Sequence, residues 1–82
     1  MDCFALFRLP SVLEKTGFAR STLYLRIDQG LFTAPVSLGT SHAVAWPASE
    51  VHAINSARIA GKSNDEIRAL VVQLEAARKA AA

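Results

Sequence analysis

Apolar and polar positions alternate along this chain in short runs separated by glycine, proline and small polar residues. The first run spans Pro10 to Lys15. Pro10 or Ser11 suits a helix start, because a proline there gives up no intrahelical hydrogen bond, and Val12 and Leu13 supply apolar contacts. Gly17 is expected to end the helix by taking the left-handed conformation without steric strain. The second run spans Arg20 to Gln29 and stops at Gly30. Leu23 and Ile27 stand four residues apart and share one face, which predicts that they point to the core. At about 100° per residue Leu25 then lies nearly opposite that face, and Ser21, Thr22, Asp28 and Gln29 also turn away from it. A helix, a glycine-containing turn and a second helix form the helix-turn-helix pattern.

The third run, Leu31 to Trp46, changes character. Pro35 rules out a helix interior. Val36 and Leu38 alternate with Ser37, Gly39-Thr40-Ser41 breaks the run, and Val44 and Trp46 alternate with Ala45. That pattern predicts a β-hairpin, which after a helix-turn-helix is a wing. A fourth run starts near Pro47 and ends at Gly61, with Val51, Ile54, Ala57 or Arg58, and Ile59 as a helical apolar stripe. The fifth begins at Ser63. Ser63-Asn64-Asp65-Glu66 reads as a capping box, in which the serine hydroxyl and the glutamate carboxylate satisfy orphan backbone N–H groups. Ile67, Leu70, Leu74 and Ala77 follow at helical spacing with Val71 alongside, and Ala80-Ala81-Ala82 is expected to fray.

The expected fold is therefore mainly α with a small β-hairpin: a winged helix-turn-helix over residues 1–60, then a C-terminal helix within residues 61–82. The stripe of that last helix has to be hidden, either on the domain's own core or between two copies of the chain. Its a/d pattern lasts only about two heptads, short of a confident coiled coil.

Composition narrows the function classes. The chain has 82 residues, 51% hydrophobic and 20% charged, which fits one packed domain and excludes wholesale disorder. A single cysteine, Cys3, excludes an intrachain disulfide, and two histidines, His42 and His52, give no zinc spacing. No cofactor is expected. No apolar run approaches the roughly 20 residues of a membrane span. Met1-Asp2-Cys3-Phe4 lacks the basic start of a secretion signal, so a cytoplasmic location is expected. Net charge is +2, with four Lys/Arg against three Asp/Glu in residues 1–46 and five against four in residues 47–82. Neither half is strongly basic, so bulk charge adds little to a nucleic-acid reading. No nucleophile, histidine and carboxylate constellation stands out, and no enzyme is expected.

The stretch Arg8-Leu9-Pro10-Ser11-Val12-Leu13-Glu14-Lys15-Thr16-Gly17-Phe18-Ala19-Arg20-Ser21-Thr22-Leu23-Tyr24 resembles the AlpA family of prophage regulators. Val36-Ser37-Leu38-Gly39, Trp46 and Ser49-Glu50-Val51 are similar to that family's hairpin and following helix, so the resemblance covers roughly residues 8–60. It implies a MerR-like or excisionase-like winged helix-turn-helix that controls transcription of mobile-element genes, or directs recombination. Two departures stand out. The family usually has a basic and then an apolar residue after the tyrosine, where this chain has Leu25 and then Arg26, and it tends to have an arginine in the wing, where this chain has His42.

A recognition helix presents its N-terminal residues to base edges in the major groove. The expected contacts to double-stranded DNA are Arg20, Ser21 and Thr22 at that end, Tyr24 at the flank, and Leu25 against a thymine methyl. Arg26 and Lys15 suit phosphates, and Thr40, Ser41 and His42 suit the backbone or minor groove. Each has a structural reading as well. Ser21 or Thr22 caps the helix; Tyr24 packs; Leu25 meets the wing or a second subunit; Arg26 is a solvated charge; His42 is a turn residue and His52 a surface residue. Trp46 belongs to the core. One recognition helix makes few contacts, so a homodimer or a cooperative array on DNA is expected. Three functions follow: a sequence-specific transcriptional regulator, an excisionase or recombination directionality factor, and a protein-interaction module whose DNA face has decayed.

Overall fold

The computed structural model describes residues 5–40 and 42–81, without the side chains of residues 80 and 81. In chain order these form β1 (Leu6–Arg8), α1 (Leu9–Thr16), α2 (Arg20–Asp28), β2 (Val36–Thr40), β3 (Ala43–Pro47), α3 (Ala48–Ile59) and α4 (Asn64–Ala81). The architecture is mostly helical with a three-stranded antiparallel sheet in the order β1-β3-β2.

The strand β1 has no counterpart in the periodicity reading. Its three residues are too few to show alternation, and Phe7 pairs with Trp46 through β3. The hairpin thus becomes the outer two-thirds of a sheet whose central strand is β3. Its turn also differs from the expected Gly39-Thr40-Ser41. Thr40 pairs with Ala43, so Gly39 and Thr40 belong to the strand rather than to the turn. Gly39 instead lies within β2 at φ 107°, where the register is irregular between Ser37 and Thr40. A bulge of this kind needs the positive φ that glycine adopts at no steric cost.

The helix α1 starts one residue before Pro10 and ends at Gly17, whose N–H donates to the Leu13 carbonyl at 2.9 Å from a left-handed conformation. The predicted second helix is present, held inward by fully buried Leu23 and partly buried Ile27. The core joins Val12, Leu23, Leu31, Phe32, Trp46, Val51, Ile54, Ile67 and Val71. Trp46 is fully buried, as its position predicts, and its Nε1–H donates to the Thr33 carbonyl at 2.9 Å. That bond satisfies the one polar group the indole carries into the core.

The helix α4 contributes to the same core. Ile67 and Val71 are buried, with Leu70 and Leu74 packed against the cluster. Its N-terminus carries the predicted capping box: the Glu66 N–H donates to the Ser63 hydroxyl at 3.2 Å, and the Ser63 N–H donates to the Glu66 carboxylate at 2.9 Å. These bonds hold the Glu66 carboxyl below its ordinary pKa. Toward the other end Arg78 donates from Nε and Nη2 to the two carboxylate oxygens of Glu50 at 2.8 and 2.6 Å. Its Nη2 also donates to the Ala34 carbonyl at 2.6 Å, while the Ala34 N–H donates to Glu75 at 2.8 Å. Glu50 is only 4% exposed, and its hydrogen bond raises the Arg78 pKa.

Three expectations are corrected. Ile59, placed on the apolar stripe of α3, is 88% exposed, because the stripe closes on Ile54 and Ala57 one turn earlier. Ala77, placed on the stripe of α4, is also exposed. The tail expected to fray continues α4 through Ala81. Ala82 and Cys3 lie outside the described residues.

Candidate nucleic-acid interface

The orientation of α2 decides which side chains are available. With Leu23 and Ile27 turned inward, Arg20 and Tyr24 fall on one flank, Ser21, Leu25 and Asp28 on the outward face, and Thr22 and Arg26 on the other flank. Arg20, Ser21, Tyr24, Leu25 and Asp28 are all exposed, and Thr22 is half-buried. Leu25, at the centre of this face, is 54% exposed, which leaves more than half of its surface open to a partner.

The helix starts without a side-chain cap. Its N-cap residue is Ala19, which makes no side-chain hydrogen bond, so the predicted capping by Ser21 or Thr22 does not occur. Both belong to the first helical turn, where orphan backbone N–H groups lie and the helix dipole is positive.

On the Arg20 flank an open groove of about 460 Å³ is lined by Arg8, Leu9, Pro10, Arg20, Tyr24, His42 and Val44. The first two helices and the sheet meet there, with Leu9 and Pro10 from α1 and Val44 from β3. The strand β1 ends on Arg8, α2 begins on Arg20, and the β2–β3 turn carries His42. The groove walls hold two arginines and a histidine and no carboxylate. Arginine is always charged and presents donors in a fork that matches phosphate oxygens, so the groove has the electrostatics of an anion-binding surface. Tyr24, 39% exposed, forms part of its wall and is neither core nor free in solvent. Thr40 is exposed at the end of β2, on the rim of the same hairpin. Ser41 lies outside the described residues.

The two remaining predicted contacts are elsewhere. Lys15 and Arg26 line a second recess with α3, apart from the groove that holds Arg20 and His42. The Lys15 ammonium stands 5.8 Å from the Phe7 ring centroid, and the Arg26 guanidinium 6.0 Å from that of Phe18. Arg26 is half-buried and so is not the solvated charge considered from the sequence. His52 is an exposed residue of α3, as expected, with its ring edge-on to Phe7.

Sequence reasoning missed Arg8 as a groove residue. The only signal was a basic residue directly before the Leu9-Pro10 helix start; the strand that aims it was invisible. Among the described residues no group of His, Cys, Asp and Glu is arranged to hold a metal.

Residues 5–58 match the family model described as "Prophage CP4-57 regulatory protein (AlpA)". This chain belongs to the AlpA family. The match takes in β1, both helices around Gly17, the hairpin and nearly all of α3, and stops before α4. The chain is also 47% identical over 55 residues to "Uncharacterized protein ORF88" of Enterobacteria phage P4, an alignment that covers 67% of this chain and 61% of that protein. The AlpA-family chain thus spans about three fifths of the length of the curated relative it matches. No solved structure matches it. The AlpA family is a phage regulatory family, which agrees with the resemblance drawn from Arg8 to Tyr24. Among the described residues no helix is long and apolar enough to cross a membrane.

Proposed function

We propose that this chain is a sequence-specific DNA-binding transcriptional regulator of a phage or mobile element, built as a winged helix-turn-helix of the MerR or excisionase kind. One observation carries the reading: α2 is anchored by Leu23 and Ile27 while its outward face, from Arg20 to Asp28, stays uncovered. A helix with its side chains is about 10–12 Å across, the width of the major groove. In this reading α1, Gly17 and α2 are the helix-turn-helix, β2 and β3 the wing, residues 1–60 the DNA-binding unit, and residues 61–82 the helix that closes its core.

The contacts divide by chemistry. Ser21 and Thr22 at the helix start meet phosphates or base edges, and Leu25 meets a thymine methyl, the apolar mark of that groove. Arg20 bonds a phosphate or a guanine edge. Arg8, Tyr24, Thr40 and His42 hold the strand that runs past the wing. Phosphate contacts fix the register, and the few base contacts of one helix give modest discrimination, so two copies on neighbouring half-sites supply the rest. The DNA face stays in the non-membrane part of the cell, the cytoplasm.

Selection of bound duplexes from a random pool tests this, followed by binding of the winner at several salt concentrations. The expected outcome is an enriched motif whose affinity falls steeply with salt. A pool with no enrichment and no salt-dependent binding refutes it. Excision control uses the same DNA face, and an attachment-site recombination assay with and without the protein separates it from transcriptional control. The exposed Leu25 beside Asp28 favours a second reading, a protein-interaction face. A stable complex with another protein in the absence of any DNA affinity would select it.

A further inference from the structure

The second recess, about 420 Å³ and open to solvent, lies where the end of α1, the far flank of α2 and the C-terminal half of α3 meet. Lys15, Arg26 and Arg58 are among its lining residues, together with Asn55, Phe18 and Ile54. No carboxylate is among the lining residues. Parts of both guanidinium groups are buried: Nε of Arg26 and one terminal nitrogen of Arg58 lie out of reach of solvent, which fixes the planes of both forks.

Side-chain cations gathered without a carboxylate repel one another, and an anion placed among them relieves that repulsion. Both guanidinium groups are nevertheless held in place: Arg26 over the Phe18 ring, and Arg58 by donating to the Asn64 side chain at 3.2 Å. Fixed forks of this kind lose little freedom when they bind, which favours a planar-faced or tetrahedral oxyanion.

We propose that this recess binds a phosphate group, with Arg26 and Arg58 as the fork donors and Lys15 as the closing charge. The phosphate comes from one of two sources, a diester of the DNA backbone or a free phosphate compound. The first source rests on the function proposed above, because the recess borders the flank of α2 away from the wing, where the opposite wall of a major groove runs. Arg58 and Asn55 come from α3, far in sequence from the helix-turn-helix, and no spacing in the chain joins them to Lys15 and Arg26.

The test has two arms on the full chain. In the first, inorganic phosphate is exchanged for chloride at equal ionic strength while the side-chain N–H signals of Arg26, Arg58 and Asn55 are followed by NMR. Saturable shifts at these groups, lost in Arg58→Gln and partly restored in Arg58→Lys, are expected. An unsaturable response in the wild type, or an Arg58→Gln protein that responds as the wild type does, overturns the site. Thermal melting of Arg58→Gln checks folding, and Arg26→Gln serves in its place if that variant melts early. The second arm measures the salt dependence of DNA binding. A log–log slope shallower by about 0.9 in Arg58→Gln assigns the site to a backbone diester. An unchanged slope alongside intact phosphate shifts in the wild type assigns it to a free phosphate compound. A wild type that binds phosphate but no DNA refutes the proposed function and leaves the recess standing.

Discussion

Replacing Arg78 with methionine keeps most of the side chain's length and removes every donor it presents. In the folded protein Glu50 is 4% exposed and has both carboxylate oxygens on Arg78, at 2.8 and 2.6 Å. Arg78→Met strands that carboxylate and takes the 2.6 Å donor from the Ala34 carbonyl. Removing one partner of a buried pair costs about 3–5 kcal/mol. Because the Arg78 side chain keeps 24% exposure, water can reach part of the gap, and the lower end, about 3 kcal/mol, is expected. A chain of this size has about 4–12 kcal/mol in all at roughly 0.05–0.15 kcal/mol per residue, so the loss is a large share. Urea unfolding followed by circular dichroism should show a midpoint lower by about 3 M at a slope near 1 kcal/mol/M. The control is the double variant Arg78→Met with Glu50→Met, which removes the stranded charge and should recover much of the loss. A single variant within about 0.5 kcal/mol of wild type with an unchanged slope would refute the reasoning, as would a double variant that unfolds no later than the single.

Further outcomes follow from individual contacts. Trp46→Phe leaves the Thr33 carbonyl without its donor and opens space in the core, at an expected cost of about 2 kcal/mol by the same urea assay. Ser63→Ala removes one half of the capping box and should cost about 1 kcal/mol. Because the folded Glu66 pKa is depressed by its bonds to Ser63, its contribution is present above the unfolded carboxylate range and is lost as pH falls through the folded value. A carboxyl-detected NMR titration should show Glu66 titrating below the ordinary glutamate range in wild type and moving upward in Ser63→Ala. On the DNA face, Arg20→Ala should weaken binding to all sequences and flatten the salt slope by about 1 if it meets a phosphate, or relax one base position if it meets a guanine.

What was legible in the sequence follows the range of the interactions involved. Local devices were readable: the Gly17 stop, the Leu23 and Ile27 anchor pair, and the reciprocal Ser63 and Glu66 bonds each involve residues within a few positions of one another. The hairpin was readable as an element but not in detail, since Gly39 serves a bulge rather than the turn and the two uses share the same positive φ. The strand β1 exists only because β3 offers it a free edge, and three residues carry no period. Nothing local marks Glu50 and Thr33 as buried, because their partners Arg78 and Trp46 lie 28 and 13 positions away. The candidate site was legible where it is one helix face, from Arg20 to Leu25. It was not legible where Arg8 and His42 close a groove with that face, or where Lys15 and Arg26 turn out to sit with Arg58.

The peptide unit at Ala34 is pinched from both sides, its N–H by Glu75 and its carbonyl by Arg78, two side chains on successive turns of α4. Residue 34 lies two positions before β2, near the end of the connector that carries the chain from the end of α2 to that strand. The interval between the helix and the hairpin is thus governed by a rod more than forty positions downstream, beyond the stretch that matches the family. An exchange of C-terminal segments between family members would then alter how far apart those two elements stand while leaving every residue of both untouched.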